Sequence, residues 1–390
     1  MSARYLSMAA ISQKIEKQVF LPTEMSTHTA IATTAKGVVH TLQVPTEEPQ
    51  EDEVLVKVEY SAVIPPEVYM VDNGKYVEQY PVILGFTVSG TVMKVGSNIK
   101  DLKPTDRVTT FSYGPSRYKG IQQYAVQPRS VCAKACRIPG NLSFDAAATI
   151  PDNFACAFYT LFNQLSLPMP LSLPALETPP LANSPILIYG AGSTAGQYMT
   201  RLLYLARYKN IIATASAKHH EYLRSLGATH VFDYRSSTLI EDINNVVGGS
   251  NKLTMVVDCI SATTTMNNIA KVLNPTGTVA LLMPVKKGTT LNVDEESDLI
   301  TTLPLPDQLN PFGEKANVIG VRTFFYQEDT VLKERLLPAI LPELLEKGLI
   351  EAPRYRIMDQ GSLQQRAEQA LELLRTNQLS GEKVIVKVSD

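Results

Sequence analysis

Residues 186–196 read Ile-Leu-Ile-Tyr-Gly-Ala-Gly-Ser-Thr-Ala-Gly, a set of residue types suited to holding a pyrophosphate. An apolar run enters, Gly190, Gly192 and Gly196 turn the chain, and the residues that follow have a helical pattern. Glycine lets the backbone approach an anion, whose charge then rests at the helix N-terminus. Ser193, Thr194 and Ala195 lie between the second and third glycines and join them as candidate cofactor contacts. Gly196 stands one place late for the strict G-x-G-x-x-G spacing, so the loop alone would also serve as a plain tight turn. The strand-like run before it and the helix-like run after it favour a dinucleotide site.

The next apolar run, Ile211–Thr214, ends in Ala215-Ser216-Ala217-Lys218. Loops that hold NAD usually place Asp or Glu here, accepting hydrogen bonds from the ribose hydroxyls. No acid occurs before Glu221. The Ser216 hydroxyl and the Lys218 cation suit a 2′-phosphate, so the expected cofactor is NADPH. The bland alternative is a solvated Ser216 and a helix-starting Lys218.

These residues need a scaffold. From Pro185 onward strand and helix patterns alternate, which means βαβ units and a parallel sheet. Strands are expected near Ile211–Thr214, His230–Asp233, Met255–Asp258, Thr278–Met283 and Asn317–Val321, with helices near Thr194–Tyr208, His219–Leu226, Leu239–Val246 and Thr265–Leu273. Before Pro185 the chain differs: residues 27–63 and 82–92 are short alternating β segments, an antiparallel, barrel-like pattern. Residues 143–165 read as a helix with Ser143 as N-cap and Asp145 in its first turn. Prolines 168, 170, 174, 179, 180 and 185 make the next stretch a linker, a loop insertion or a lid. Two amphipathic helices, about Val331–Glu346 and Leu363–Arg375, precede a closing strand, Lys383–Val388, expected to return to the first domain.

Composition sets limits on function. The 390 residues suit two domains, and a net charge of -2 without long single-sign runs argues against nucleic acid as a partner. No run of 18 apolar residues occurs, so no membrane partner is expected. Cys132, Cys136, Cys156 and Cys259 are scattered, which suits a reducing compartment, and a cytoplasmic location is expected. Cys132 and Cys136 lie four apart, but no second close pair or nearby histidine completes a zinc site. Arg4, Lys14 and Lys17 among Ser and Ala faintly resemble a transit peptide, but Glu16 and Glu24 argue against it, and residues 1–27 are expected to be a disordered extension.

From about residue 28 to 390 the chain resembles the medium-chain dehydrogenase/reductase superfamily. The likeness rests on the glycine loop, on residues 80–96 (Tyr-Pro-Val-Ile-Leu-Gly-Phe-Thr-Val-Ser-Gly-Thr-Val-Met-Lys-Val-Gly), on residues 103–108, on residues 226–234, and on Val257-Asp258-Cys259. The resemblance implies an α/β fold, with a GroES-like, β-rich substrate domain at 28–157 and 327–390 and a Rossmann doubly wound parallel sheet domain at 158–326. Zinc alcohol dehydrogenases of this superfamily carry a Gly-His-Glu motif whose His binds zinc; the matching residues here are Gly85-Phe86-Thr87. No Cys occurs near Ala62–Pro65 or from Phe111 to Gln127, and the five histidines lie elsewhere, so a metal-free site is expected.

The zinc-free quinone oxidoreductase and fungal enoyl reductase-like branch is the closer likeness, through Ile64-Pro65-Pro66-Glu67-Val68-Tyr69, where Ile64 replaces the usual Asn. This resemblance implies Tyr69 as a catalytic hydrogen-bond donor, Tyr234 beside the 2′-phosphate with Ser216 and Lys218, and Cys259 at the cofactor. Cys156 stands near where relatives often carry a Thr touching the nicotinamide. It further implies an NADPH-dependent oxidoreductase, monomer or homodimer, reducing an activated C=C bond of an enone, enal, enoyl or quinone small molecule, with fungal secondary metabolism as an expected setting. The rival readings are a non-catalytic NADPH-binding sensor or accessory subunit, and a trans-acting reductase serving a polyketide synthase.

Overall fold

The computed structural model describes residues 26–134, 142–287 and 299–389. Cys136 and nearly all of the expected N-terminal extension lie outside them, although Thr27 already belongs to the first strand.

The antiparallel body opens with β1 (Thr27–Ala35), β2 (Val38–Pro45) and β3 (Glu53–Val63), then the short helix α1 (Pro65–Asn73). β4 (Val82–Ile83), β5 (Thr87–Val95), β6 (Arg107–Phe111), β7 (Tyr124–Pro128) and β8 (Cys132–Lys134) follow. The expected helix over 143–165 is broken into α2 (Phe144–Ala148), α3 (Pro151–Phe158) and a wider turn over Tyr159–Gln164. Pro151 has no N–H to continue α2 and instead starts α3. Ser143 stands at the N-cap of α2, but its side chain makes no capping hydrogen bond.

The parallel body follows: β9 (Ile186–Tyr189), α4 (Thr194–Leu205), β10 (Ile211–Thr214), α5 (His220–Leu226), β11 (His230–Phe232), α6 (Leu239–Val247), β12 (Leu253–Asp258), α7 (Thr263–Ala270) and β13 (Leu273–Leu282). A small hairpin of β14 (Val285–Lys286) and β15 (Leu299–Ile300) precedes β16 (Asn317–Val321). The six long strands lie in the order β11-β10-β9-β12-β13-β16, all parallel. Their order therefore reverses between β9 and β12, the crevice where doubly wound sheets bind ligands. Leu187, Ile188, Ile212 and Val256 are fully buried, as helices on both faces require.

The chain then returns through α8 (Thr330–Arg335) and α9 (Leu341–Glu346), joined by a wider turn, where one long helix is expected from sequence. Pro338 and Pro342 interrupt that helix. β17 (Arg354–Met358), α10 (Leu363–Arg375) and β18 (Glu382–Lys387) end the fold. β18 pairs antiparallel with β3, so the closing strand does rejoin the first body. The two bodies share a core along α3 and α4, where Phe154 meets Tyr198 edge-on at 6.4 Å. The proline-rich stretch runs beside the C-terminal end of α4, Ala175 N–H donating to Leu205 O and Lys209 N–H to Ala182 O. That end lies a helix length from the glycine loop, which argues against a lid.

Candidate active site

The glycine loop leaves the carboxyl end of β9 at the reversal of strand order. Gly190 has φ of +77°, and a Cβ there would meet the Ile260 side chain at 2.6 Å. Ser193 caps α4, its hydroxyl accepting the Gly196 N–H at 3.2 Å. Thr194, Ala195 and Gly196 form the first helical turn, whose N–H groups have no intrahelical partner and carry the positive end of the helix dipole. Gly196 packs so closely that a Cβ would stand 2.6 Å from Ala191 Cα. Gln197 holds the loop from outside, donating to Gly192 O at 3.0 Å and to Gly381 O at 3.2 Å. Backbone donors converging at a switch point, with no side chain between them, fit the pyrophosphate of a dinucleotide.

Ser216 and Tyr234 follow the ends of the adjacent parallel strands β10 and β11, so the structure brings Ser216, Lys218 and Tyr234 to one edge of the crevice. Lys218 is exposed, as is Tyr234. The same edge holds Arg235, bidentate on Asp233 (Nε–Oδ1 2.9 Å, Nη2–Oδ2 2.7 Å), and Asp233 also accepts the Ala217 N–H. Arg235 holds the Asp233 carboxyl well below the usual carboxylate range. Cys259 follows β12 and its N–H donates to Tyr189 O at 2.9 Å. Its thiol lies within hydrogen-bond reach of the Ser193 hydroxyl of the loop and 3.8 Å from Met199 Sδ, so Cys259 borders the loop through its side chain as well. Cys156 is half-buried on α3 near the Thr160 and Thr323 hydroxyls, and burial pushes its thiol up to about 11.

The facing wall comes from the antiparallel body. Tyr69 lies on α1, 1% exposed, packed with Leu299 of the opposite body. Burial raises its pKa, so the hydroxyl stays protonated across neutral pH. Phe86, where zinc enzymes of the resembled superfamily carry His, stacks on Tyr113 at 5.4 Å, and Tyr113 stacks on Phe324 of the other body at 3.8 Å. Thr87 accepts the Ala62 N–H at 2.7 Å. Among the described residues no three His, Cys, Asp or Glu side chains gather as metal ligands.

Beneath this wall lies a charge cluster invisible to local sequence patterns. Glu67, fully buried, accepts N–H groups from Ile64 at 2.6 Å and Gly85 at 2.7 Å. Burial pushes its pKa up to about 7 against those bonds and the Lys119 and Lys383 charges. Burial likewise pushes Lys119 down to about 7, opposed by Glu67. Lys383 of β18 pairs with Asp152 of α3 at 2.5 Å; Asn153 donates to Asp152 and accepts from Thr194 Oγ1 at 3.0 Å. A continuous polar chain thus runs from the return strand to the first turn of the glycine-loop helix. Nothing marks Lys119 in sequence as other than a loop lysine. Glu67 does carry a local signal, an acid at the third position of a proline-started helix.

A parallel six-stranded sheet with a glycine loop at its switch point, closed by an aromatic seam against a β-rich body, defines a two-domain oxidoreductase. The alcohol dehydrogenase GroES-like domain family matches residues 50–155, and the zinc-binding dehydrogenase family matches residues 192–300. A trans-enoyl reductase of Aspergillus japonicus is 28% identical over 344 residues, covering 86% of this chain and 90% of that protein. The enoyl reductase component of the lovastatin nonaketide synthase of Aspergillus terreus is 28% identical over 357 residues, covering 86% and 89%. In fold, the chain is similar to the CurK enoyl reductase (TM-score 0.69, 17% identity, covering 92% and 99%). It is also similar to a mycobacterial protein solved with NADPH (TM-score 0.68, 21% identity, covering 93% and 100%). The chain belongs to the medium-chain dehydrogenase/reductase superfamily, in its enoyl reductase-like branch, and joins a GroES-like domain to a Rossmann domain.

Proposed function

We propose that this protein is a zinc-independent, NADPH-dependent reductase of a C=C bond conjugated to a carbonyl, acting on a small-molecule enoyl, enal, enone or quinone. The observation that carries this is the glycine loop at the switch point, together with an aromatic seam between the bodies and no cluster of metal ligands among the described residues. The fungal trans-enoyl reductases among its relatives support an enoyl substrate, and a place in fungal secondary metabolism. When bound, NADPH supplies the hydride. Gly190, Gly192, Ser193, Thr194, Ala195 and Gly196 cradle its pyrophosphate, and Cys259 borders it. Ser216, Lys218 and Tyr234 receive the 2′-phosphate.

The Lys218 cation should decide between the two nicotinamide cofactors. Lys218→Ala is expected to weaken NADPH about tenfold, the loss of one charge-assisted hydrogen bond, while leaving NADH unchanged. Fluorescence titration of both cofactors checks this, and equal loss for both would refute the assignment.

Tyr69 donates a hydrogen bond to the substrate carbonyl oxygen. A donor that strengthens as charge develops acts on the transition state. Tyr69→Phe removes only the hydroxyl, so kcat should fall about tenfold or more while NADPH affinity holds. Unchanged kcat would take Tyr69 out of the chemistry.

The test of the proposed function is NADPH oxidation by the purified protein against a panel of enals, enoyl thioesters and quinones, with and without a chelator. Turnover unaffected by the chelator, in protein carrying well under one zinc per chain, is expected. Stoichiometric zinc with chelator-sensitive turnover would overturn the zinc-independent assignment.

A further inference from the structure

Lys119 follows a helical turn over Ser116–Tyr118 and is pinned through its backbone: its N–H donates to Ser116 O, and its carbonyl accepts from Gln122 Nε2 at 2.7 Å. The side chain is 3% exposed. Its Nζ stands 3.7 Å from the Phe86 ring centroid and 5.1 Å from that of Tyr113, the two rings that reach the seam with Phe324. Aromatic faces attract a cation but accept no conventional hydrogen bond. The nearby acid, Glu67, already spends one oxygen on the Ile64 N–H and the other on the Gly85 N–H. The Lys119 ammonium donates to no oxygen among the described residues, so its three donors are free for an outside acceptor beside the interdomain seam. Donors so enclosed are ordinarily satisfied, here by water in the free protein or by an oxygen of a bound molecule.

We infer that the Lys119 ammonium binds the substrate's carbonyl oxygen and holds the negative charge that develops on it during reduction. This assignment rests on the proposed function. Hydride, taken with its electron pair from the reduced nicotinamide, forms the new C–H bond at the β-carbon. The π pair shifts toward the carbonyl, whose oxygen becomes an enolate oxygen, and a proton from water then adds at the α-carbon. Substrate is reduced by two electrons and the nicotinamide is oxidised by two. A preorganised cation at that oxygen acts where charge appears.

Three variants of the full-length protein test the assignment, with crotonyl N-acetylcysteamine thioester and cinnamaldehyde as probes. Lys119→Met is expected to lower kcat on the order of 10²-fold while NADPH affinity stays within about twofold. Lys119→Arg, which keeps the charge, should recover part of the rate. Lys119 could instead serve only as a counter-charge to Glu67, so the double variant Glu67→Gln/Lys119→Met removes both charges and also serves if the single variant fails to fold. The double variant should remain slow although its stability is near wild type. A Lys119→Met rate within threefold of wild type, or a double variant at wild-type rate, would overturn the assignment and leave the proposed function standing. Wild-type protein that reduces neither probe would defeat the proposed function and this assignment with it.

Discussion

Lys383→Met is expected to destabilise the protein by about 3–5 kcal/mol, measured by urea unfolding. Lys383 is 6% exposed and Asp152 7%, so the substitution strands a carboxylate where water cannot reach it. Its remaining side-chain hydrogen bonds come from Asn153, 3.0 Å from each oxygen. Breaking a buried pair costs far more than replacing it, because the surviving charge is left uncompensated. Lys383→Met/Asp152→Leu removes that charge and should recover at least half of the loss. A cost below about 1 kcal/mol for Lys383→Met would mean that Asp152 is solvated or neutral. Because Asn153 also accepts from Thr194, NADPH affinity should fall in the single variant as well.

Gly196→Val should abolish useful cofactor binding, with a loss of about 10²-fold or more, equal to about 2.7 kcal/mol. A Cβ at this position would meet Ala191 Cα at 2.6 Å and Ala191 C and O at 3.0 Å. These are backbone atoms that cannot rotate away, so the first turn of α4 must lift from the loop. Lifting it separates the N–H donors of Thr194 and Ala195 from those of the loop, and each charge-assisted bond lost costs about 1.5–3 kcal/mol. The overpacking itself costs about 1–3 kcal/mol, so the melting temperature should fall while the far-UV spectrum is kept. NADPH affinity within threefold of wild type would remove the glycine loop from the cofactor site.

Much of this was legible in the sequence, because it is written in local periodicity. β10, β16 and α10 fall where alternation and helical spacing put them, and β18 could be matched to the first body because its pattern resembles the early strands. Prolines account for part of what was lost: Pro151, Pro338 and Pro342 interrupt runs whose apolar spacing reads as continuous helix. The helix expected over Thr265–Leu273 ends at Ala270, and Leu273 already opens β13. Pro275 favours extended backbone in the residue before it, which works against helix there.

The site divides in the same way. Gly190, Gly192 and Gly196 are neighbours in sequence and state their purpose by spacing. Glu67, Lys119, Asp152 and Lys383 come from four distant segments, brought together by tertiary contacts such as the pairing of β18 with β3 and the Gly120 N–H on Gly85 O. Single-sequence spacing carries no trace of such convergence. The same holds for Arg235, which reaches the cofactor edge only because β10 and β11 are parallel neighbours.

The central claim is that reduction occurs at carbon–carbon rather than carbon–oxygen. Cinnamaldehyde incubated with the protein and NADPH deuterated at C4 of the nicotinamide tests it directly, with the product identified by mass spectrometry and NMR. The expected product is the saturated aldehyde, its carbonyl intact, with deuterium on the β-carbon. Cinnamyl alcohol, with the double bond intact and deuterium on the carbinol carbon, would contradict the account.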